Sequence, residues 1–182
     1  AEINLINGDH EAAGKYLRIL SKTLFYRQWA QDRIPGKESA KVKEWLKHKR
    51  TCLPRRDTLR LSSTDVVKSL HLLLEANPTN QMALDYLLCF DLLMKDLPAF
   101  LKDYGQYHTG TPCRLYAEAL LIHLYQKRAT GEEIKTWGIH PSVIKDFNEY
   151  NRVHTQSKGS PSVLGNRFGR TYWFYYQFAQ FQ

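Results

Sequence analysis

The 182-residue sequence has few cysteines, and none of them lies close to another. Cys52, Cys89 and Cys113 are an odd number and contain no C-x-x-C pair. This spacing favours neither a disulfide framework nor a zinc site, so we expect buried or half-buried thiols. We predict no metal site.

Long apolar runs are also missing. No stretch approaches the roughly 18 apolar residues of a spanning helix, and the richest runs, 86–90 and 119–122, have the length of core segments. Glu2, Asn4 and Asn7 interrupt any apolar leader region after Ala1. The chain begins as if at the edge of a helix, and we expect it to be a fragment of a longer protein.

Recognisable catalytic motifs are absent. The sequence has no G-x-S-x-G elbow, no Walker loop and no H-E-x-x-H pair, and its seven histidines are scattered. The carboxylates form no isolated pair suited to acid–base chemistry. We therefore predict a protein that is not an enzyme, with no catalytic residues and no cofactor.

Positive charge is abundant and uneven. The net charge is +8, with basic residues concentrated in 1–60 and 126–182 and an acidic stretch between them. One basic segment covers residues 41–56 and could bind a polyanion, either a membrane surface or nucleic acid; the alternative is a solvated helix face. Nucleic acid is the less favoured partner, because the middle is acidic and no nucleic-acid motif is present. The cations of this basic patch are Lys41, Lys43, Lys47, Lys49, Arg50, Arg55 and Arg56.

Apolar residues recur at three- and four-residue steps along most of the chain, which predicts an all-α fold. Asn7-Gly8-Asp9 predicts a turn followed by a helix cap. The helix over 81–94 is apolar nearly all round, so we expect it to be packed on several sides. Helices are predicted over 9–30, 38–49, 66–76, 81–94, 98–104, 112–128, 132–137 and 141–150. The aromatic run after Thr171 is interpreted as a last helix, with a strand as the alternative on propensity alone.

Residues 151–170 are rich in glycine and serine, which predicts an irregular loop. Within it, 165–170 has the order Gly-Asn-Arg-Phe-Gly-Arg just before the last helix. Backbone N–H groups and a helix N-terminus attract anions, so Arg167 and Arg170 are candidate anion contacts. This supports a second functional hypothesis, an accessory domain of a membrane-bound enzyme or transporter.

Pairs of helices joined by short turns suggest a helical solenoid. Gly8, Ala13 and Leu17 resemble the second helix of a tetratricopeptide repeat, and 83–86 followed by 98–104 resembles another helix pair. The resemblance implies one right-handed array of antiparallel helix pairs over residues 1–182. Because the two matches are not a whole number of repeats apart, the array is degenerate or is interrupted by the basic segment 33–60.

The chain also resembles the soluble carboxy-terminal region of an uncharacterised family of bacterial multi-span membrane proteins. Segments 17–23, 114–119 and 171–176 carry this resemblance. It implies a soluble domain tethered upstream of Ala1 to a bacterial inner membrane, on a side that the sequence leaves open, and it brings no activity with it.

Our leading functional prediction is a non-enzymatic protein–protein interaction or scaffold module. Helical solenoids bind peptides or partner helices along a concave face. The sequence does not identify the partner protein or peptide. The groove candidates are polar or aromatic residues of the inner helices, Asn80, Asp85, Tyr86 and Tyr116.

Overall fold

A computed structural model describes residues 1–53 and 66–180. Every regular element in these two ranges is an α-helix, which confirms the all-α prediction. None of these helices combines the length and apolar character that a membrane span requires. The chain divides into two compact units, Ala1–Ala83 and Leu84–Gln182. The single helical-repeat domain over 1–182 and its tetratricopeptide-like solenoid stay predictions.

The amino-terminal unit is built around a small apolar core. Helix α1 packs against α2 and α4, and α2 packs against α3. The core side chains are Leu5, Ala13, Leu17, Ala30, Val42 and Leu46. The helices are α1 (Glu2–Asn7), α2 (His10–Leu20), α3 (Arg27–Gln31), α4 (Ala40–Thr51) and α5 (Val66–Ala76).

The predicted turn and cap at the start of this unit are confirmed. Gly8 ends α1 in the left-handed conformation, with φ at 83°, and the Asp9 carboxylate accepts a hydrogen bond from the Ala12 N–H at 3.0 Å. At its other end α2 is shorter than predicted. The Ser21 and Thr23 hydroxyls donate to the carbonyls of Arg18 and Leu20, which competes with helix continuation. The predicted helix over 9–30 is therefore two helices separated by a turn at 21–26.

The carboxy-terminal unit is organised around one buried helix. Helix α8 packs against α7, α10 and α12, and its residues 116–122 are all buried. Helix α8 is therefore packed on several sides. The helices of this unit are α6 (Gln81–Leu93), which begins just before the division, α7 (Leu97–Tyr107), α8 (Arg114–Gln126), α9 (Gly131–Thr136), α10 (Pro141–Gln156), α11 (Pro161–Phe168) and α12 (Tyr172–Phe178).

The prediction of an irregular loop over 151–170 is wrong. Helix α10 continues to Gln156, and α11 occupies Pro161–Phe168, so only short turns interrupt the helices. Pro161 stands in the first turn of α11, where its missing N–H costs nothing. Leu164 and Phe168, four residues apart, are buried and hold α11 in place. The glycines and serines obscured this apolar pair.

The last helix is anchored by a buried carboxylate. Glu118 of α8 is 3% exposed, and its two oxygens have different partners. Oε1 accepts a hydrogen bond from Arg114 Nε at 2.9 Å, and Oε2 accepts one from the Tyr172 N–H at 2.6 Å. Arg114 also donates to Asp146 of α10 at 2.8 Å. One ionic network therefore joins α8, α10 and the N-terminus of α12.

Aromatic packing reinforces this anchor. Trp173 is 2% exposed, and its indole N–H donates to the Glu118 carbonyl at 2.9 Å. Its ring packs against Phe147 and Tyr150 of α10, with centroids 5.1 and 5.7 Å away. The predicted helix in the aromatic run is confirmed, and its rings are what place it against α8 and α10.

Removing the Glu118 carboxylate tests this anchor. We expect Glu118→Ala to lower the free energy of unfolding by about 3 kcal/mol, because the buried Tyr172 N–H loses its acceptor and a cavity remains. Glu118→Gln, which keeps one acceptor oxygen, should cost less. Urea unfolding followed by circular dichroism measures both.

The matched control is Glu132→Gln, which removes a carboxylate that is 85% exposed and paired with Lys135. An exposed ion pair contributes little, so this variant should unfold like the wild type. If Glu118→Ala were equally neutral, Glu118 would not anchor α12.

Candidate functional site

Three of the four predicted groove residues have structural roles. Asn80 is buried and caps α6, accepting a hydrogen bond from the Ala83 N–H at 3.3 Å. The Tyr116 hydroxyl donates to Asp85 Oδ1 at 2.8 Å, which joins α8 to α6. Only Tyr86, which is 66% exposed, presents its side chain to solvent.

The Tyr116 ring lies inside an aromatic cluster. Its centroid is within about 6 Å of the rings of Phe100, Tyr104 and His108. Burial, followed by the hydrogen bond to Asp85, raises the pKa of the Tyr116 phenol, so it stays protonated and donates to the carboxylate. This arrangement holds α6 and α8 together.

An apolar surface runs along α6. Tyr86 and Leu93 are 66% and 57% exposed, and the half-buried Cys89 lies between them on the same face. Leu115 of α8 borders this face and is 37% exposed. We call Tyr86, Cys89, Leu93 and Leu115 the α6 surface. The buried residues of α6 fit the predicted packing on several sides, and this face is the part of the helix that stays exposed.

A pocket of about 390 Å³ opens beside the α6 surface. The Tyr172 and Tyr175 hydroxyls donate to the carbonyls of Leu92 and Leu93, at 3.0 and 2.7 Å, and fix its wall. Arg170 stands in the pocket lining and forms no ion pair within the described ranges. The lining residues are Cys89, Leu92, Leu93, Leu115, Gly169, Arg170, Thr171, Tyr172 and Tyr175.

Sequence reasoning found Tyr86 and Arg170 but missed Cys89, Leu93 and the two tyrosines of the pocket. The one available indication was the composition of α6, which has more apolar residues than a single core face uses. Burial raises the pKa of the Cys89 thiol, which favours its neutral form, and the residue lies in the pocket lining.

The predicted anion nest at 165–170 is wrong. Gly165 lies inside α11, and Gly169 has right-handed backbone angles with its N–H bonded to the Gly165 carbonyl, so these amides are used by the helix end. Arg167 donates to Glu149 at 2.7 Å, and Glu149 also binds Arg152. Gly165 serves packing, because a Cβ there would lie 3.2 Å from the Phe174 ring.

The basic patch lies largely on α4, in the amino-terminal unit. Lys43, Lys47 and Arg50, together with His10, line a depression of about 450 Å³. Arg50 is not fully available to an anion, because it donates to the carbonyls of Leu5 and Ile6 at 2.8 and 3.1 Å. Lys41 is exposed and Lys49 half-buried. Arg55 and Arg56 lie outside the described residues.

Two further acids are buried in the carboxy-terminal unit. Asp91 of α6 is 4% exposed and Asp103 of α7 is 3% exposed. Among the described residues, Asp91 Oδ2 accepts no hydrogen bond. Burial, followed by the nearby charges of Asp103 and Asp96, raises the pKa of Asp91 to about 7. No group of side chains in the described ranges has the composition of a metal site.

Comparison with known proteins identifies one family. The model of DUF6057, a family of unknown function, matches residues 1–179. The chain therefore belongs to this family. No curated protein and no solved structure matches it.

The buried acid makes stability depend on pH. The folded-state pKa of Asp91 lies above its unfolded value, so the folded chain binds the extra proton, and stability falls as the pH rises from about 4 to 7. Asp91→Asn should remove this decline and stabilise the protein at pH 8, by about 4 kcal/mol at most. Urea unfolding at a series of pH values measures the effect.

Asp32→Asn, which changes an exposed carboxylate of the amino-terminal unit, is the control and should keep the wild-type profile. A wild-type stability that rises between pH 4.5 and 7, unchanged by Asp91→Asn, would contradict the assignment.

Proposed function

We propose that this chain is a non-enzymatic interaction module that binds a partner protein through the α6 surface and its adjoining pocket. The observation that carries the proposal is the exposure of Tyr86 and Leu93, 66% and 57%, on a helix whose other side is packed. Contiguous exposed apolar side chains of this size mark interaction surfaces more often than scattered ones do.

The spacing on α6 fits a helical or extended partner segment. Tyr86, Cys89 and Leu93 follow one another at three- and four-residue intervals and form a continuous stripe. An apolar stripe of this kind can bind the apolar face of an amphipathic helix, whose apolar side chains repeat at the same intervals. The pocket beside Leu93 has room for one large apolar anchor residue.

The pocket is preorganised by the fold. Tyr172 and Tyr175 are held by hydrogen bonds to the end of α6, and the Glu118 network holds α12 itself. A wall that is already ordered costs little conformational entropy when the partner binds. The same buried network that stabilises the unit therefore supports binding.

The positive charge of Arg170 favours a partner that carries a negatively charged residue. Its guanidinium lies in the pocket lining and has no carboxylate partner among the described residues. An acidic residue of the partner, placed next to the apolar anchor, would pair with it and fix the orientation of the bound segment. The proposed partner segment is therefore amphipathic and carries a carboxylate.

The non-enzymatic part of the proposal rests on how three polar side chains of the carboxy-terminal unit, Asp85, Tyr116 and Glu118, are used. Asp85 accepts the Tyr116 hydroxyl, and Glu118 binds Arg114 and the Tyr172 backbone. These contacts join helices to one another. Asn80, Asp85 and Tyr116 are accordingly assigned to stability, and of the predicted groove only Tyr86 belongs to the proposed binding surface.

A displayed library of random 15-residue peptides provides a defined probe. We expect selection on the intact chain to enrich amphipathic peptides that carry an acidic residue. Leu93→Glu and Arg170→Glu should each weaken a selected peptide by roughly tenfold or more in fluorescence polarisation, as hot-spot changes do.

Val163→Glu is the matched control, because Val163 is 48% exposed on α11 and lies outside the α6 surface. It should leave binding unchanged. The proposal fails if no peptide is enriched, or if the enriched peptides bind Leu93→Glu as well as the wild type.

A further inference from the structure

A second apolar surface lies on the amino-terminal unit, at the turn between α2 and α3. Leu24 and Phe25 are 84% and 89% exposed, the largest exposures of any large apolar side chains described. Ile19 and Tyr26, on either side, are 65% and 56% exposed. We call these four residues the apolar turn.

The apolar turn is held in place by its flanks. The Ser21 and Thr23 hydroxyls close the end of α2, and Leu17 and Ala30 on the two sides are fully buried in the core. The Tyr26 ring also contacts Trp29 edge-on, with centroids 6.4 Å apart. Leu24 and Phe25 are therefore presented to solvent by an ordered turn.

Along the sequence, the charged residues on either side of this turn are cations. Between Glu11 and Asp32 the sequence contains four cations and no carboxylate. Lys15 pairs with Glu11 at 2.8 Å. The other three cations form no ion pair within the described ranges and are exposed: Arg18, Lys22 and Arg27.

We infer that the apolar turn docks on the surface of an anionic lipid membrane. Leu24 and Phe25 enter the boundary between headgroups and acyl chains, where apolar and aromatic side chains are favoured. Arg18, Lys22 and Arg27 meet the lipid phosphates, because long cationic side chains can extend from an interfacial segment to the headgroups.

The combination of features selects this partner. The exposed side chains of Leu24 and Phe25 can insert into the lipid layer. The neighbouring cations, which form no ion pair within the described ranges, attract negatively charged headgroups. The basic helix α4 provides cations without exposed apolar neighbours of this kind, since Val42 and Leu46 are buried. This inference concerns the amino-terminal unit and is independent of the proposed protein-binding surface.

Sedimentation with extruded vesicles tests the inference. We expect the intact chain to bind vesicles of phosphatidylcholine and phosphatidylglycerol, and to bind pure phosphatidylcholine at least roughly tenfold more weakly. Leu24→Glu/Phe25→Glu and Lys22→Glu/Arg27→Glu should each lower the affinity for anionic vesicles by a similar factor. Circular dichroism should show the fold retained, because all four side chains are exposed.

Two controls separate insertion from general attraction. Ile3→Glu changes an apolar residue that is 72% exposed on α1, and Lys41→Glu/Lys43→Glu changes two exposed cations of α4. Both should keep affinity within about threefold, since neither alters the apolar turn. If the α4 variant loses as much binding as the turn variants, attraction is by net charge alone and the inference is overturned.

Absence of vesicle binding by the wild-type chain also overturns it. Analytical ultracentrifugation then identifies what covers the turn. A dimer that Leu24→Glu/Phe25→Glu converts to a monomer would assign the apolar turn to a second copy of the chain instead of a lipid surface.

Discussion

The carboxy-terminal unit depends on the hydrogen bonds that the buried Glu118 carboxylate accepts. This carboxylate lies on the most deeply packed helix and accepts hydrogen bonds from a guanidinium on one oxygen and from a backbone N–H of another helix on the other. A charge taken out of water is costly unless it is fully bonded, so this contact is tolerated only while α12 is docked. Helix α12, which is far from α8 in the sequence, is thereby fixed against it.

Docking of α12 has consequences at the surface. Its first residues bring Tyr172 and Tyr175 to the end of α6, where their hydroxyls donate to the Leu92 and Leu93 carbonyls. Carbonyls of a last helical turn have no partner within their own helix, and the Leu92 carbonyl also accepts the Lys95 N–H. The same contacts form one wall of the pocket and leave Arg170 in its lining. Stability and the proposed binding surface therefore share one set of contacts.

The sequence predicted the features that depend on residues close together in the chain. The Gly8–Asp9 turn is a short-range feature, and it is present as predicted. The partner of the second Glu118 oxygen is a backbone amide 54 residues away, and no local pattern identifies it. The exposed face of α6 could not be predicted for a similar reason. The composition of a helix gives the number of its apolar residues but not which of them pack against other helices. Helix α11 was missed since glycines that usually indicate turns are used there for close packing.

Amide and indole hydrogen exchange, followed by NMR in the intact chain, tests the central role of Glu118 most directly. If α12 is held as described, the Tyr172 N–H and the Trp173 indole N–H should exchange as slowly as the amides of the α8 core, because both are buried and bonded to Glu118. Fast exchange of these two protons, with α8 still protected, would show that α12 is not anchored by Glu118, and the pocket built on it would lose its support.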